Sequence, residues 1–220
     1  MTALPVNELF ETVQGEAAWT GTPAVFIRLQ GCDVGCAFCD TKHTWPLAEA
    51  RRIATVEMVE KVYDTATCAD VEEAELVDLV CAMKSRHVVI TGGEPCIHDL
   101  RPLTAALLGR GRSVQIETSG TADIRAADNA WVTLSPKIGM PGGLSVLPEA
   151  FGRADEIKMP VGKMADVEKL LAAMPPCGVR GAIWLQPLSQ SEKATKLCIE
   201  VARERGWRVS IQTHKFIGVR

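Results

Sequence analysis

Beyond residue 23 the chain alternates between two periodicities. Short runs rich in Val, Ile and Leu give way to longer stretches in which apolar residues return every three or four positions, and polar or Gly-containing segments separate them. That alternation marks βα units laid into a mainly parallel sheet. It predicts strands over residues 24–29, 87–91, 113–118, 131–135, 156–159, 182–186 and 208–212, and helices over 55–69, 71–84, 99–108, 166–174 and 192–205. In the second helix Leu76, Leu79, Val80 and Met83 share one face. Thr55 stands where it can cap the first helix, and Gly109 or Gly111 where it can end the third. Six or seven strands are too few for a closed eight-stranded barrel of about 250 residues. The expectation is a single α/β domain over residues 1–220, a partial, open (β/α)6-type barrel with mainly parallel strands, because no linker-like tract divides the chain.

In such sheets the chemistry gathers at the carboxyl ends of the strands. Each predicted strand runs out into polar or Gly-rich residues: Gln30-Gly31-Cys32, Thr91-Gly92-Gly93-Glu94-Pro95, Glu117-Thr118-Ser119-Gly120, Ser135-Pro136-Lys137, Lys158, Gln186-Pro187 and Gln212-Thr213-His214-Lys215. With parallel strands all seven sets share one rim. Gly139-Met140-Pro141-Gly142-Gly143 is predicted to form a mobile loop beside it.

Composition then removes whole classes of function. The 24 Lys and Arg against 27 Asp and Glu leave a net charge of −3, which argues against a phosphate-neutralising surface and so against direct nucleic-acid binding. No run approaches the roughly 18 apolar residues of a membrane span, and Asn7, Glu8 and Glu11 interrupt the region where a signal peptide needs an apolar core. A soluble, cytoplasmic protein is expected. Three of the eight cysteines, Cys32, Cys36 and Cys39, fall within eight residues. In a reducing compartment such clustering means coordination more often than disulfides. Cys68, Cys81, Cys96, Cys177 and Cys198 are scattered and read as non-ligands, and the five tryptophans mainly as packing residues.

Cys32-x3-Cys36-x2-Cys39 offers three thiolates on one short loop after the first predicted strand. Two objects fit them. With His43 they make a Cys3His zinc knuckle, which alone would give a non-catalytic, zinc-stabilised scaffold. Without it they hold a [4Fe–4S] cube whose fourth iron stays open to a small molecule. Here the sequence resembles the radical S-adenosylmethionine (SAM) enzymes, in which this Cys-x3-Cys-x2-Cys loop carries an aromatic residue, here Phe38, before its last cysteine. Gly92-Gly93-Glu94-Pro95 looks like the GGEP element of the same family, where bare glycine backbone and a carboxylate grip the amino end of SAM.

Asn7-Glu8-Leu9-Phe10-Glu11-Thr12-Val13-Gln14-Gly15-Glu16, Phe26-Ile27-Arg28-Leu29-Gln30-Gly31-Cys32, Cys39-Asp40-Thr41-Lys42-His43-Thr44-Trp45 and Gln212-Thr213-His214-Lys215-Phe216 resemble, within that superfamily, the 7-carboxy-7-deazaguanine synthases. The resemblance implies conversion of 6-carboxy-5,6,7,8-tetrahydropterin into 7-carboxy-7-deazaguanine with loss of ammonia, on the route to queuosine. It implies a [4Fe–4S] cluster, SAM as a recycled radical source, Mg2+, a flavodoxin-type reductant and a homodimer. Carried over residue by residue, Cys32, Cys36 and Cys39 hold the catalytic cluster. Val13, Gln14, Gly15, Glu16, Arg28, Thr91, His214 and the terminal carboxylate of Arg220 meet the pterin. Phe38, Asp40, Gly93, Glu94, Glu117, Ser135, Pro136, Lys137 and Gln186 meet SAM, and Thr41 meets Mg2+. Read on its own chemistry, Arg28 is a planar fork suited to a carboxylate or else a surface ion pair, and His214 alone would pass for a packed histidine on a terminal strand. Where the family often has Gln-Gly-Glu-Gly, this chain has Ala17 in place of the last glycine, so a left-handed angle there would be strained. The nearest rival is a radical SAM activase acting on a partner's glycine, which leaves Gln14, Glu16 and His214 without a role.

Overall fold

The structure is a computed structural model that describes residues 3–219, the side chain of Gln190 excepted. Its strands in chain order are β1 (Ala3–Val13), β2 (Pro23–Leu29), β3 (Arg51–Arg52), β4 (Thr67–Glu72), β5 (His87–Gly92), β6 (Ser113–Thr118), β7 (Trp131–Leu134), β8 (Glu156–Val161), β9 (Ala182–Pro187) and β10 (Arg208–Val209). The helices are α1 (Thr55–Met58), α2 (Glu73–Ala82), α3 (Arg101–Gly109), α4 (Pro148–Arg153), α5 (Met164–Ala173), α6 (Glu192–Arg205) and α7 (Thr213–Ile217). The strands form one sheet in the order β10-β9-β8-β7-β6-β5-β2-β1-β4-β3. From β2 to β10 every pairing is parallel, as the alternation predicts. β1 joins the other edge antiparallel to both β2 and β4, so the sheet stays open among the described residues.

Several expectations need correction. The helix predicted over 55–69 is one turn, Thr55–Met58, and the segment ends as strand β4. Its cap position is Ala54, with Thr55 the first helical residue. The following helix starts at Glu73 rather than residue 71. The last strand covers only Arg208–Val209, and the chain then turns into α7, which puts His214 on a helix instead of a strand. Strands β1, β3 and β4 and helix α4 were not expected. The 139–143 loop lies against the cysteine loop, the Gly142 amide donating to the Val34 carbonyl at 3.1 Å.

The reason for β1 is burial on both faces. Leu4, Val6, Leu9 and Phe10 enter the core, while Asn7 and Glu8 are as deeply buried and find polar partners. One apolar cluster lies between β1, β2, β4 and β5 and helices α2 and α3; a second joins β7, β8 and β9 to α4, α5 and α6. Both cores grip the sheet from the helix side, which leaves the carboxyl ends of β2 and β5 to β9 around one open mouth.

Candidate active site

The cysteine loop leaves the end of β2 and is zipped shut behind the cysteines. The Gly31 amide donates to the Thr44 carbonyl at 2.7 Å and the Cys32 amide to the Trp45 carbonyl at 3.1 Å. Gln30 reinforces the closure, its side-chain amide donating to the carbonyls of His43 and Pro46 at 2.9 and 2.7 Å. Its own oxygen accepts from Asn7 of β1 at 2.7 Å. The next strand packs on this loop through bare backbone. A Cβ at Gly93 would lie 2.1 Å from the Gly31 carbonyl oxygen, and the Glu94 amide donates to that same oxygen at 2.8 Å. Only glycine lets the ends of β2 and β5 come so close.

These segments line one cavity of about 320 Å3. It brings together Cys32, Cys36 and Cys39; Val13, Gln14, Gly15 and Glu16; Arg28 and Thr91; Gly93 and Glu94; Phe38, Asp40 and Thr41; Glu117, Ser135, Lys137, Gln186 and His214. Of the residues singled out from the sequence, Pro136 stands behind the lining, and Arg220 lies outside the described residues. Trp45, read above as packing, also faces the cavity. Lys158 and Gln212 belong to the same wall, and Ser119 lies beside Glu94. The sequence places Lys158 on the rim as the polar end of its strand, without giving it a role.

Most of the polar groups are already oriented by one another. The Glu94 carboxylate accepts from the Cys96 amide (2.9 Å), the Thr118 hydroxyl (2.6 Å), the Ser119 amide (2.7 Å) and the Ser119 hydroxyl. The Gln14 side-chain amide donates to Gln115 and Glu117 at 3.1 and 3.0 Å. Arg28 donates through Nε to Glu8 at 2.5 Å and lies over the Phe10 ring, so the ion-pair reading and the cavity-facing reading hold together. Glu16 accepts from Lys158, and through its other oxygen from Gln186 (3.2 Å) and Gln212 (2.7 Å). Burial pushes the Glu16 carboxyl up, but the Lys158 charge and these donors outweigh it and hold it at about 2. Ala17 follows with φ +53, the left-handed angle foreseen as strained; its amide donates to the Ser210 hydroxyl at 2.9 Å and the Ala18 amide to Glu156 at 3.2 Å. The terminal helix closes this corner, with the Thr213 amide donating to the Gly15 carbonyl at 3.0 Å.

A metal cluster suits the residues present. Burial raises the Cys32 thiol to about 11 and the Cys36 thiol above its usual value, so bare thiolates would be costly there, and a cationic inorganic centre would compensate them. The zinc-knuckle alternative loses its fourth ligand, because His43 Nε2 sits 3.9 Å from Asp64 Oδ1, away from the cavity. Burial holds the Lys137 ammonium below its ordinary pKa, and its Nζ is anchored on the Ser135 carbonyl and hydroxyl at 2.9 and 2.5 Å.

An open, mainly parallel sheet with a three-cysteine loop and a Gly-Gly-Glu turn at its mouth defines the radical SAM class, and residues 26–174 match the model of the Radical SAM superfamily. The chain is 50% identical over 220 residues to the 7-carboxy-7-deazaguanine synthase of Escherichia coli (strain K12), covering 98% of each. Against the synthase of that name from Buchnera aphidicola it is 39% identical, covering 98% of this chain and 99% of the other. The crystal structure of QueE from Escherichia coli superposes with a TM-score of 0.90 at 49% identity, over 96% of this chain and 94% of that one. The chain belongs to the 7-carboxy-7-deazaguanine synthase family of radical SAM enzymes.

Proposed function

We propose that this enzyme converts 6-carboxy-5,6,7,8-tetrahydropterin into 7-carboxy-7-deazaguanine and ammonia. The reading rests on one observation above all: a single cavity joins the cysteine loop to Gln14, Glu16, Arg28 and His214, which lie in the stretches that carry the resemblance to this family. Product and ammonia together balance the atoms of the substrate, so the reaction needs a radical initiator but no net oxidant. Cys32, Cys36 and Cys39 would hold a [4Fe–4S] cluster, and when bound the cluster and SAM supply the electron and the hydrogen-abstracting radical.

The chain's own residues supply position. Gly93, whose bare backbone packs on Gly31, lines the SAM side of the cavity, and Glu94, fixed by four donors, holds the turn that presents it. Phe38, Asp40, Glu117, Ser135, Pro136, Lys137 and Gln186 form the SAM side of the reading. Glu16 is kept ionised and can accept the paired N–H donors of an aminopyrimidinone edge, with Val13, Gln14, Gly15 and Thr91 around it. Arg28 and His214 take the remaining polar groups of the pterin, and the carboxylate of Arg220 belongs to the same set. Thr41, whose hydroxyl is 3.6 Å from Cys39 Sγ, offers a neutral oxygen to Mg2+. A cytoplasmic homodimer reduced by a flavodoxin-type protein, binding neither nucleic acid nor membrane, completes the proposal. No helix among the described residues is long and apolar enough to cross a membrane.

The test is anaerobic incubation of the reconstituted protein with SAM, Mg2+, a reductant and the carboxypterin. A product with the mass of 7-carboxy-7-deazaguanine, formed with SAM regenerated, is the expected outcome; reductive SAM cleavage with the pterin unchanged sinks the assignment.

A further inference from the structure

Lys158 has no assigned part in this chemistry, yet its position is singular. It rises from β8, the side chain is 4% exposed, and its ammonium donates to Glu117 Oε2 at 2.8 Å and to Glu16 Oε2. The two carboxylates come from distant stretches of chain, Glu16 from the turn after β1 and Glu117 from β6, and each spends its other oxygen on amide donors: Glu16 on Gln186 and Gln212, Glu117 on Gln14. Among the described residues neither carboxylate has an arginine partner. One ammonium therefore serves two partly buried carboxylates in the wall that joins the pterin side to the SAM side.

From this geometry we infer that Lys158 is a positioning residue, whose single ammonium aligns Glu16 and Glu117 and offsets their mutual repulsion so that Glu16 can receive the pterin. The inference rests on the proposed function for the identity of that ligand, but the device itself does not. Without the ammonium, two neighbouring carboxylates only 13% and 18% exposed repel each other, and one of them takes up a proton at a higher pH than usual. A protonated Glu16 offers one acceptor and one donor to a ligand edge that presents donors, and so loses most of its worth. The other titratable groups that face this pair are Lys137 after β7, Glu156 at the start of β8, His214 on α7 and His87 on β5, whose two ring nitrogens are bonded to Ser113 and Gln115. Lys137 is anchored on Ser135, and Glu156 accepts from Thr133 at 2.7 Å and from Ala18, so neither replaces the missing bridge. Burial lowers the His214 pKa, which leaves it uncharged at neutral pH.

The experiment is a 13C titration of Glu-labelled protein, with the Glu16 carboxyl assigned through E16Q, beside steady-state kinetics. In the wild type Glu16 should remain ionised throughout pH 4 to 9 on the general range of paired carboxylates, roughly two units or more below ordinary values. In Lys158→Met a carboxyl of the pair should titrate well above the ordinary carboxylate range. KM for the carboxypterin should rise about 100-fold at the acid end and recover as pH increases, the scale of a lost charge-assisted contact. Lys158→Arg should keep the flat profile. A uniform loss of activity with no new titration would reduce Lys158 to a packing residue and overturn the inference. Wild-type Glu16 titrating as an ordinary or raised carboxyl overturns it too, even if the methionine variant fails to fold. Should wild-type protein leave the pterin unchanged while the carboxyl titrations behave as stated, the substrate reading fails and the Lys158 bridge stands.

Discussion

Ala17 holds a left-handed angle without being glycine, and its amide and the next are both committed, to Ser210 and Glu156. The strain is local and costs roughly 1–2 kcal/mol for a residue with a Cβ. Ala17→Gly should therefore stabilise the protein by about 0.5–1 kcal/mol in urea unfolding, after part of the gain is lost to the freer unfolded chain; a destabilised variant would show that the buried methyl outweighs the angle. Arg28 poses the opposite problem, because removing it takes a charge-assisted bond of 2.5 Å away from buried Glu8. Lysine is the cleaner probe. It keeps a cation for Glu8 but loses the planar fork, so Arg28→Lys should leave the melting temperature nearly unchanged and lower kcat/KM for the pterin by about tenfold, one hydrogen bond's worth. Equal kinetics would remove Arg28 from the substrate set.

At the scale of elements, the cysteine loop and the 139–143 loop behave as one unit. A Cβ on Gly142 would lie 1.9 Å from the Asp33 carbonyl oxygen, whereas one on neighbouring Gly143, despite its φ of +71, meets nothing within 4 Å. Gly142→Ala should push the two loops apart and speed iron loss to a chelator several-fold, at a cost of about 1–3 kcal/mol in stability. Gly143→Ala should carry only the backbone strain and keep its iron, and iron loss equal in the two variants would separate the loops. The central parallel strands β2, β5 and β7 to β9 were legible because each is a largely apolar run with most of its residues buried. β1 was not, because Asn7, Glu8 and Pro5 break its pattern, and their burial makes sense only once Gln30 and Arg28 lie beside them. β4 was missed for a related reason: Ala69, Asp70 and Glu72 are residues depleted in strands, and pairing with Ala3–Val6 of β1 overrides that preference. The cysteine loop was legible because its ligands are adjacent in sequence. Lys158 was not, since its two partners lie 142 and 41 residues away.

Across the whole molecule, burial sets how stability responds to acid. The chain has four histidines, and burial is the leading cause that lowers the pKa of each: His43, His87, His98 and His214. A base whose folded pKa is depressed binds fewer protons in the folded state than in the unfolded one. Stability is then lost as pH falls through the unfolded value of about 6.5 and continues to fall until the folded groups themselves protonate. Two carboxyls act in the other direction. Burial raises Glu73 and Glu156, so their uptake of protons favours the folded state as pH drops from neutral toward 5. Four depressed histidines outnumber two raised carboxyls, and Glu16 takes no part in this window because it stays ionised down to about 2. The midpoint of urea unfolding should accordingly be lower at pH 5 than at pH 7.5, with the m-value unchanged. His87 makes the sharpest probe: it stacks on Trp19 with ring centroids 4.2 Å apart and bonds Ser113 and Gln115 through its two ring nitrogens, so a proton added there disrupts a satisfied buried pair of contacts. His87→Gln should lower stability at pH 7.5 yet shrink the difference between the two pH values. An undiminished difference would mean that His87 stays protonation-neutral across the range and that the acid sensitivity resides in the other three.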